Sequence, residues 1–179
     1  SLGLGLILML SISCTDDLNT VPKGQDKNSD QLLAIQPDLA GLVSTVYATY
    51  ALSGASGPES TNVPGDDAGE SPFLRGIINL QDFTADDMKN RWGDNGLDQL
   101  TTTSNWDENN KFMRYMYNRI YYTVPQANKV IKQFNNLDIP AKDQVVSEMR
   151  FLRALAYYYL IDCFGKGPLL TEADLANTE

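Results

Sequence analysis

The sequence predicts an all-α protein that is built from antiparallel helical hairpins and long irregular loops. Apolar residues recur at three- and four-residue steps from Phe112 to Phe134, and a second, almost wholly apolar run extends from Val145 to Phe164. Only the connector from Leu137 to Pro140 separates these two segments, and short connections make consecutive helices antiparallel neighbours. Short strands could form in the loop region alone.

The first helix is predicted to begin near Pro37, because the fixed φ of proline suits the first turn of a helix. Its apolar face consists of Leu39, Leu42, Val43, Val46, Tyr47, Tyr50 and Ala51. Ser53 and Gly54 end the pattern. Such a face predicts a helix that packs on a larger helical body.

The segment from Gly54 to Pro72 is predicted to be a solvated surface loop, because it is rich in glycine, serine, proline and aspartate. Its acidic residues Asp66, Asp67 and Glu70 could bind calcium through their carboxylates, but the spacing of a known calcium loop is missing. No metal site is therefore predicted. From Phe73 to Asn109 the chain is predicted to be irregular and rich in turns.

The long helix that begins near Phe112 contains a proline in its second half. Pro125 has no N–H to donate to Tyr121 and crowds the carbonyl of that residue. A kink or a restart of the helix is therefore expected near Thr123.

The last helix is predicted to be buried in a larger helical body, because apolar residues surround most of its circumference. Gly165 suits a left-handed cap, and Pro168 prevents a restart. Arg150 and Arg153 share one face and are expected to pair with buried carboxylates. These charges interrupt the apolar run, which excludes a membrane span of about 20 residues. In a chain that ends at Glu179, one face of this helix is expected to stay uncovered.

Composition excludes several functional classes. The chain has 23 acidic and 14 basic residues, a net charge of -9 and no basic stripe, so nucleic-acid binding is not expected. Histidine is absent, which removes Ser-His-Asp catalysis, Cys-His catalysis and the usual zinc sites from this segment. Cys163 is interpreted as a small buried apolar residue on the last helix. No cofactor and no catalytic residue are predicted.

The N-terminal residues have the anatomy of an export signal. An uncharged apolar run from Leu2 to Ile12 is too short to span a membrane and suits the hydrophobic region of a signal peptide, and Cys14 follows it. No basic segment precedes the run, so residues 1–13 are interpreted as a signal peptide that is truncated at its front. Ser11 and Ser13 would also satisfy an ordinary signal peptidase, which leaves plain secretion as the alternative. Residues 14–30 are polar and are interpreted as a flexible tether.

One stretch of the last helix resembles a known family. The string E-x-R-F-L-R-A from Glu148 to Ala154, with F-G-x-x-P-L after the aromatic residues, resembles the SusD/RagB family of bacterial nutrient-binding lipoproteins. The segments Cys14 to Pro22, Ile77 to Met88 and Tyr117 to Asn128 resemble the same family. The resemblance implies a tetratricopeptide-like scaffold and lipidation of Cys14. It also implies that residues 31–179 are the N-terminal helical domain of a protein that continues beyond them.

The function that this resemblance implies is nutrient capture at the cell surface. Such a lipoprotein is anchored in the outer membrane, binds an oligosaccharide or another nutrient such as a glycopeptide, and passes it to a SusC-like TonB-dependent transporter. It is not an enzyme. A helical-repeat scaffold that binds only proteins is one alternative. A glycoside hydrolase that pairs Asp86 with Asp87, or Asp94 with Asp98, is another, although these residues more simply act in turns and caps.

The candidate ligand-binding residues lie in two polar turns. Trp92 and Trp106, the two tryptophans of the chain, could each stack on the apolar face of a sugar ring. Nearby polar side chains would bind the sugar hydroxyls, and these are Arg91, Asp94, Asn95, Asn105 and Asp107. Packing of a loop onto the core is the alternative role for at least one of the tryptophans.

Overall fold

The computed structural model describes residues 37–56, 59–85, 87–91, 96–101 and 105–175. These residues form five α-helices and no strand, which confirms the predicted all-α class. The helices are α1 (Pro37–Ala51), α2 (Phe73–Gln81), α3 (Leu97–Thr101), α4 (Lys111–Asn135) and α5 (Lys142–Phe164), and a 3-10 turn follows at Glu172–Asp174. The predicted signal peptide, the tether and Cys14 lie outside the described residues.

Helices α4 and α5 form the central hairpin of the described fold. The side chain of Asn110 caps α4 by accepting a hydrogen bond from the Phe112 N–H at 3.0 Å. At the closed end of the hairpin, Phe134 of α4 packs with Val145 of α5 and Val46 of α1, and each is at most 2% exposed. The last turn of α4 therefore lies against the first turn of α5, which confirms the predicted antiparallel pair.

A second apolar cluster joins α2 to the open end of this hairpin. Phe73 of α2 packs with Ile120 of α4 and Leu160 of α5, and each is at most 1% exposed. Gly76 allows the close approach of α2 and α4, because a Cβ at that position would lie 2.6 Å from Met116 Sδ. At the other end of α2, Gln81 donates a hydrogen bond to Asp162, so the end of α2 lies beside the end of α5.

The stretch from Phe73 to Asn109 was predicted to be irregular, and this prediction is wrong where α2 and α3 form. No side chain caps the start of α2. Its buried stripe consists of Phe73, Gly76 and Asn79. The helix forms because neighbouring helices cover this stripe, since packing supplies most of the stability of short helices in proteins.

The predicted restart near Pro125 is also wrong, because one helix runs from Lys111 to Asn135. Val124 and Ala127 lie on either side of the proline, are 0% exposed and pack into the two apolar clusters. Burial of this helix face outweighs the one hydrogen bond that Pro125 cannot donate.

The loop from Gly54 to Pro72 is packed against the helices rather than fully solvated, which corrects the prediction for this segment. Val63 and Asp66 are 6% and 8% exposed. Asp66 Oδ1 accepts a hydrogen bond from Asn118 Nδ2 at 3.0 Å. Burial raises the pKa of the Asp66 carboxyl, and the bond from Asn118 opposes this rise.

In the described residues, helix α5 is covered on only part of its circumference. Phe151, Tyr158 and Ile161 share one side of the helix and are 67%, 60% and 62% exposed. An apolar face of α5 is therefore uncovered, as expected for this chain. In the described residues, no helix is both long enough and apolar enough to cross a membrane.

The segment after α5 folds back onto the hairpin. Gly165 has a φ of 75°, which confirms the predicted glycine cap. Arg153 donates one hydrogen bond to Asn128 Oδ1 at 2.6 Å and another to the Glu172 carboxylate. The hydrogen bond to Glu172 lowers the pKa of that carboxyl. Arg150 lies 3.9 Å from the same carboxylate and is more exposed. The predicted pairing is thus confirmed most clearly for Arg153, although the carboxylate is only half-buried.

Candidate functional site

Two of the predicted ligand-binding residues, Arg91 and Asn105, line the same cleft. This cleft has a volume of about 450 Å³ and lies between the segment that follows α2 and the helix α3. We call it the Arg91 cleft. Its lining residues are Lys89, Asn90, Arg91, Asp98, Gln99, Thr101 and Asn105.

The walls of the Arg91 cleft are held by buried groups. The buried Asn90 donates from Nδ2 to Asp98 Oδ1 at 3.0 Å, which links the segment after α2 to α3. Asn110 donates from Nδ2 to Gln99 Oε1 at 3.0 Å. Leu97 and Leu100 anchor α3 in a third apolar cluster that includes Phe112. The cleft is therefore supported by the same residues that begin α4.

The side chains around the Arg91 cleft suit a ligand with many hydroxyl groups. Arg91 and Lys89 are exposed hydrogen-bond donors, and Asp98 is an acceptor. The side-chain amides of the lining and the hydroxyl of Thr101 can both donate and accept hydrogen bonds. A sugar needs such a mixture of donors and acceptors. The predicted residues Trp92, Asp94 and Asn95 lie outside the described residues.

Trp106 lies in a different hollow from Arg91 and Asn105. It is half-buried and packs on the third cluster beside Leu80 and Met113. It also lines a groove of about 160 Å³ between the ends of α2 and α5, which we call the Trp106 groove. The lining residues are Leu80, Gln81, Thr84, Trp106, Met113, Asp162, Cys163 and Phe164. Trp106 therefore combines core packing with exposure to a small hollow.

Asp107 has a structural partner in its own turn. Its Oδ1 accepts a hydrogen bond from the Asn109 N–H at 2.9 Å, and its carbonyl accepts one from the Asn110 N–H at 3.1 Å. These bonds form the turn that leads into α4. The geometry gives Asp107 a turn-forming role and places it in neither the cleft nor the groove.

A larger hollow of about 660 Å³ lies along α4, and sequence reasoning did not point to it. It is bordered by the polar stripe Gln126, Lys129, Lys132 and Gln133, and Lys132 Nζ donates to the Leu175 carbonyl at 3.0 Å. None of the described residues that line this hollow is aromatic. The Trp106 groove therefore offers a sugar a stacking surface that this hollow lacks.

The acidic residues of the described segments are bonded individually rather than gathered at one point. Asp67 Oδ1 accepts from the Gly69 N–H at 2.9 Å, and Glu70 pairs with Lys111 at 2.8 Å. Within the described part of the chain, no three acidic or cysteine side chains are placed to hold a metal ion. Of the carboxylates considered for a hydrolase, Asp98 bonds Asn90, and Asp86 and Asp94 lie outside the described residues.

Residues 67–179 match the model of a SusD-like family, which is described as starch-binding and associating with the outer membrane. The starch-binding protein SusD of Bacteroides thetaiotaomicron is 32% identical over 168 residues, which are 91% of this chain. The chain spans 29% of the length of that relative. No solved structure matches the chain. The matched family segment includes both the Arg91 cleft and the Trp106 groove.

Proposed function

Because this chain belongs to the SusD-like family, we propose that it is part of a cell-surface lipoprotein that captures oligosaccharides for a SusC-like TonB-dependent transporter. The observation that carries this proposal is the family match over residues 67–179, whose description combines starch binding with the outer membrane. SusD-like proteins are binding proteins rather than enzymes. We therefore expect the glycan to be bound and released without cleavage.

The Arg91 cleft is the first candidate for the glycan site. It contains Arg91 and Asn105, two residues that the sequence suggested independently, and its polar lining can bind several hydroxyls at once. The described lining of the cleft has no aromatic residue, and Trp92, which lies outside the described residues, stays a prediction for stacking on a sugar ring.

Removal of the polar groups of this cleft is expected to weaken glycan binding. Arg91→Ala should lower the affinity for maltoheptaose about tenfold, which corresponds to about 1.4 kcal/mol and is typical of a lost hydrogen bond to a charged group. Asn105→Ala should lower it by a smaller factor. Isothermal titration calorimetry of the whole protein measures both effects. Arg114→Ala removes an exposed cation of α4 that does not line the cleft, so it should bind as the wild type does.

The site assignment is wrong if Arg91→Ala and Asn105→Ala both bind maltoheptaose like the wild type and keep its melting temperature. A protein that gives no heat with maltoheptaose would instead contradict the proposed function. Release of new reducing ends from maltoheptaose would contradict the proposal of binding without cleavage.

The proposed anchor is a lipid on Cys14. Attachment of diacylglycerol and an N-acyl chain supplies at least two acyl groups, the number required for stable membrane attachment. Cys14→Ala is therefore expected to lose radiolabelled palmitate and to leave the membrane fraction. Cys163→Ala is the matched control and should keep both properties, because Cys163 lies on α5. Equal labelling of the wild type and Cys14→Ala would refute lipidation at this residue.

A further inference from the structure

We propose that the Trp106 groove is a second sugar subsite, which accepts one neutral pyranose ring separately from the Arg91 cleft. This inference rests on the proposed function, because it assumes that the protein binds glycans. It goes further by naming a second place of contact and the residues that form it.

The apolar side of the subsite is formed by Trp106. Its indole is half-buried and is held by packing beside Leu80 and Met113, while part of it lines the groove. A fixed indole loses little conformational entropy when a ligand binds. Its apolar ring can cover the C–H face of a pyranose, and its N–H can donate to a hydroxyl.

The polar side of the subsite is formed by the ends of two helices. Gln81 at the end of α2 donates from Nε2 to Asp162 Oδ2 near the end of α5, and both side chains line the groove. Asp162 is exposed, and a carboxylate can accept about four hydrogen bonds, so it retains capacity for ligand hydroxyls. The paired amide and carboxylate thus present a donor and acceptors to adjacent hydroxyls of one ring.

The size and charge of the groove restrict the ligand. Its volume of about 160 Å³ is below the range of roughly 300 to 1,000 Å³ that holds a drug-sized ligand, so it fits a single ring rather than a chain of sugars. Asp162 would repel an acidic sugar, and the net charge of the chain is -9. A neutral hexose unit is therefore the expected occupant.

Cys163 provides a direct reporter for occupation of the groove. Cys163 lines the groove, and burial, followed by the charge of Asp162, raises the pKa of its thiol to about 11. At pH 8 only about one thiol in a thousand is therefore present as the reactive thiolate. Alkylation is slow enough to be timed, and a sugar in the groove would block it.

The experiment measures alkylation of Cys163 by N-ethylmaleimide in the whole protein, with Cys14→Ser present in every sample. Mass spectrometry of peptides reports the modification at Cys163 alone. Maltoheptaose at ten times its Kd should slow alkylation about tenfold, because about one molecule in eleven then has an empty site. Each variant is compared with its own rate without sugar, so a change in the reactivity of the thiol does not enter the result.

Two variants connect this protection to the proposed contacts. Asp162→Asn keeps the size of the side chain but removes its charge and an acceptor, so it should lower the affinity for maltoheptaose severalfold and reduce the protection of Cys163 at a fixed sugar concentration. Asp138→Asn changes an exposed carboxylate in the connector between α4 and α5 and should leave both values unchanged. Thermal melting verifies that both variants are folded.

The outcomes separate this inference from the proposed function. If calorimetry shows binding of maltoheptaose while the alkylation rate of Cys163 is unchanged, the subsite is refuted and the proposed function stands. Full protection in Asp162→Asn with unchanged affinity would refute the role of Asp162 in the subsite. If no maltoheptaose binds in calorimetry, both the proposed function and this inference are overturned.

Discussion

Replacement of Arg119 with methionine is expected to lower the free energy of unfolding by about 3 to 5 kcal/mol, because each hydrogen bond that this buried charged group donates contributes about 1.5 to 3 kcal/mol. Arg119 is 0% exposed. Its Nη2 donates to the Ser53 carbonyl at 2.9 Å, and its Nε donates to the Ser71 carbonyl at 2.8 Å. These two serines lie at the start and the end of the long loop between α1 and α2, so one guanidinium holds both ends.

The methionine side chain would fill much of the same space but could donate no hydrogen bond. The Ser71 carbonyl would lose the hydrogen bond from Arg119, and the Ser53 carbonyl would keep only the one from the Asn62 N–H. Unfolding in urea, followed by circular dichroism, measures the change. Lys129→Met is the matched control, because Lys129 is exposed on the same helix, and its effect should stay within about 0.5 kcal/mol. Equal midpoints for Arg119→Met and the wild type would contradict the assigned role.

Replacement of Phe73 with alanine is expected to destabilise the protein by about 3 to 5 kcal/mol, the range observed for large-to-small changes of buried aromatic residues. Phe73 is 1% exposed and lies between three helices. Its ring centroid is 4.5 Å from that of Tyr50 on α1 and 5.7 Å from that of Tyr159 on α5. Alanine would leave a cavity and remove both aromatic contacts.

Leu74→Ala is the control for this prediction, because Leu74 is the next residue of α2 and is 62% exposed. Its effect should be close to 0.5 kcal/mol or below. Thermal melting of both variants would test the contrast. A Phe73→Ala protein that melts within a degree of Leu74→Ala would show that α2 does not depend on this cluster.

The long helices could be predicted from the sequence because their signals are local and repeated. The apolar pattern from Phe112 to Phe134 extends over several turns, and the structure places α4 at Lys111–Asn135. Gly165 marks the end of α5 by a property of its own backbone, the positive φ that it adopts. Such features depend on residues within a few positions of one another.

Local rules failed where burial decided the outcome. Pro125 predicts a kink or a restart of α4, and the packing of Val124 and Ala127 keeps the helix continuous, which excludes the restart. Arg119 has the sequence position of an ordinary helical cation, and the structure buries it against two loop carbonyls. Neither result can be derived from nearby residues, because the covering groups belong to distant segments.

For the candidate site too, the sequence predicted some features and the folded structure decided others. From sequence alone, Arg91, Asn105 and Trp106 could be selected by residue type and by their position in polar turns. Only the folded chain places Arg91 with Asn105 in one cleft and Trp106 in another hollow.

Residue patterns along the chain determined the helical class, the two long helices and the family, because helix formation and family motifs depend on residues that are close in sequence. The tertiary structure decided which distant side chains meet. Gln81 and Asp162 are 81 positions apart, and they come together because the apolar cluster around Phe73 seats α2 against α5. Contacts of this kind depend on packing across the whole core, and no local pattern specifies them.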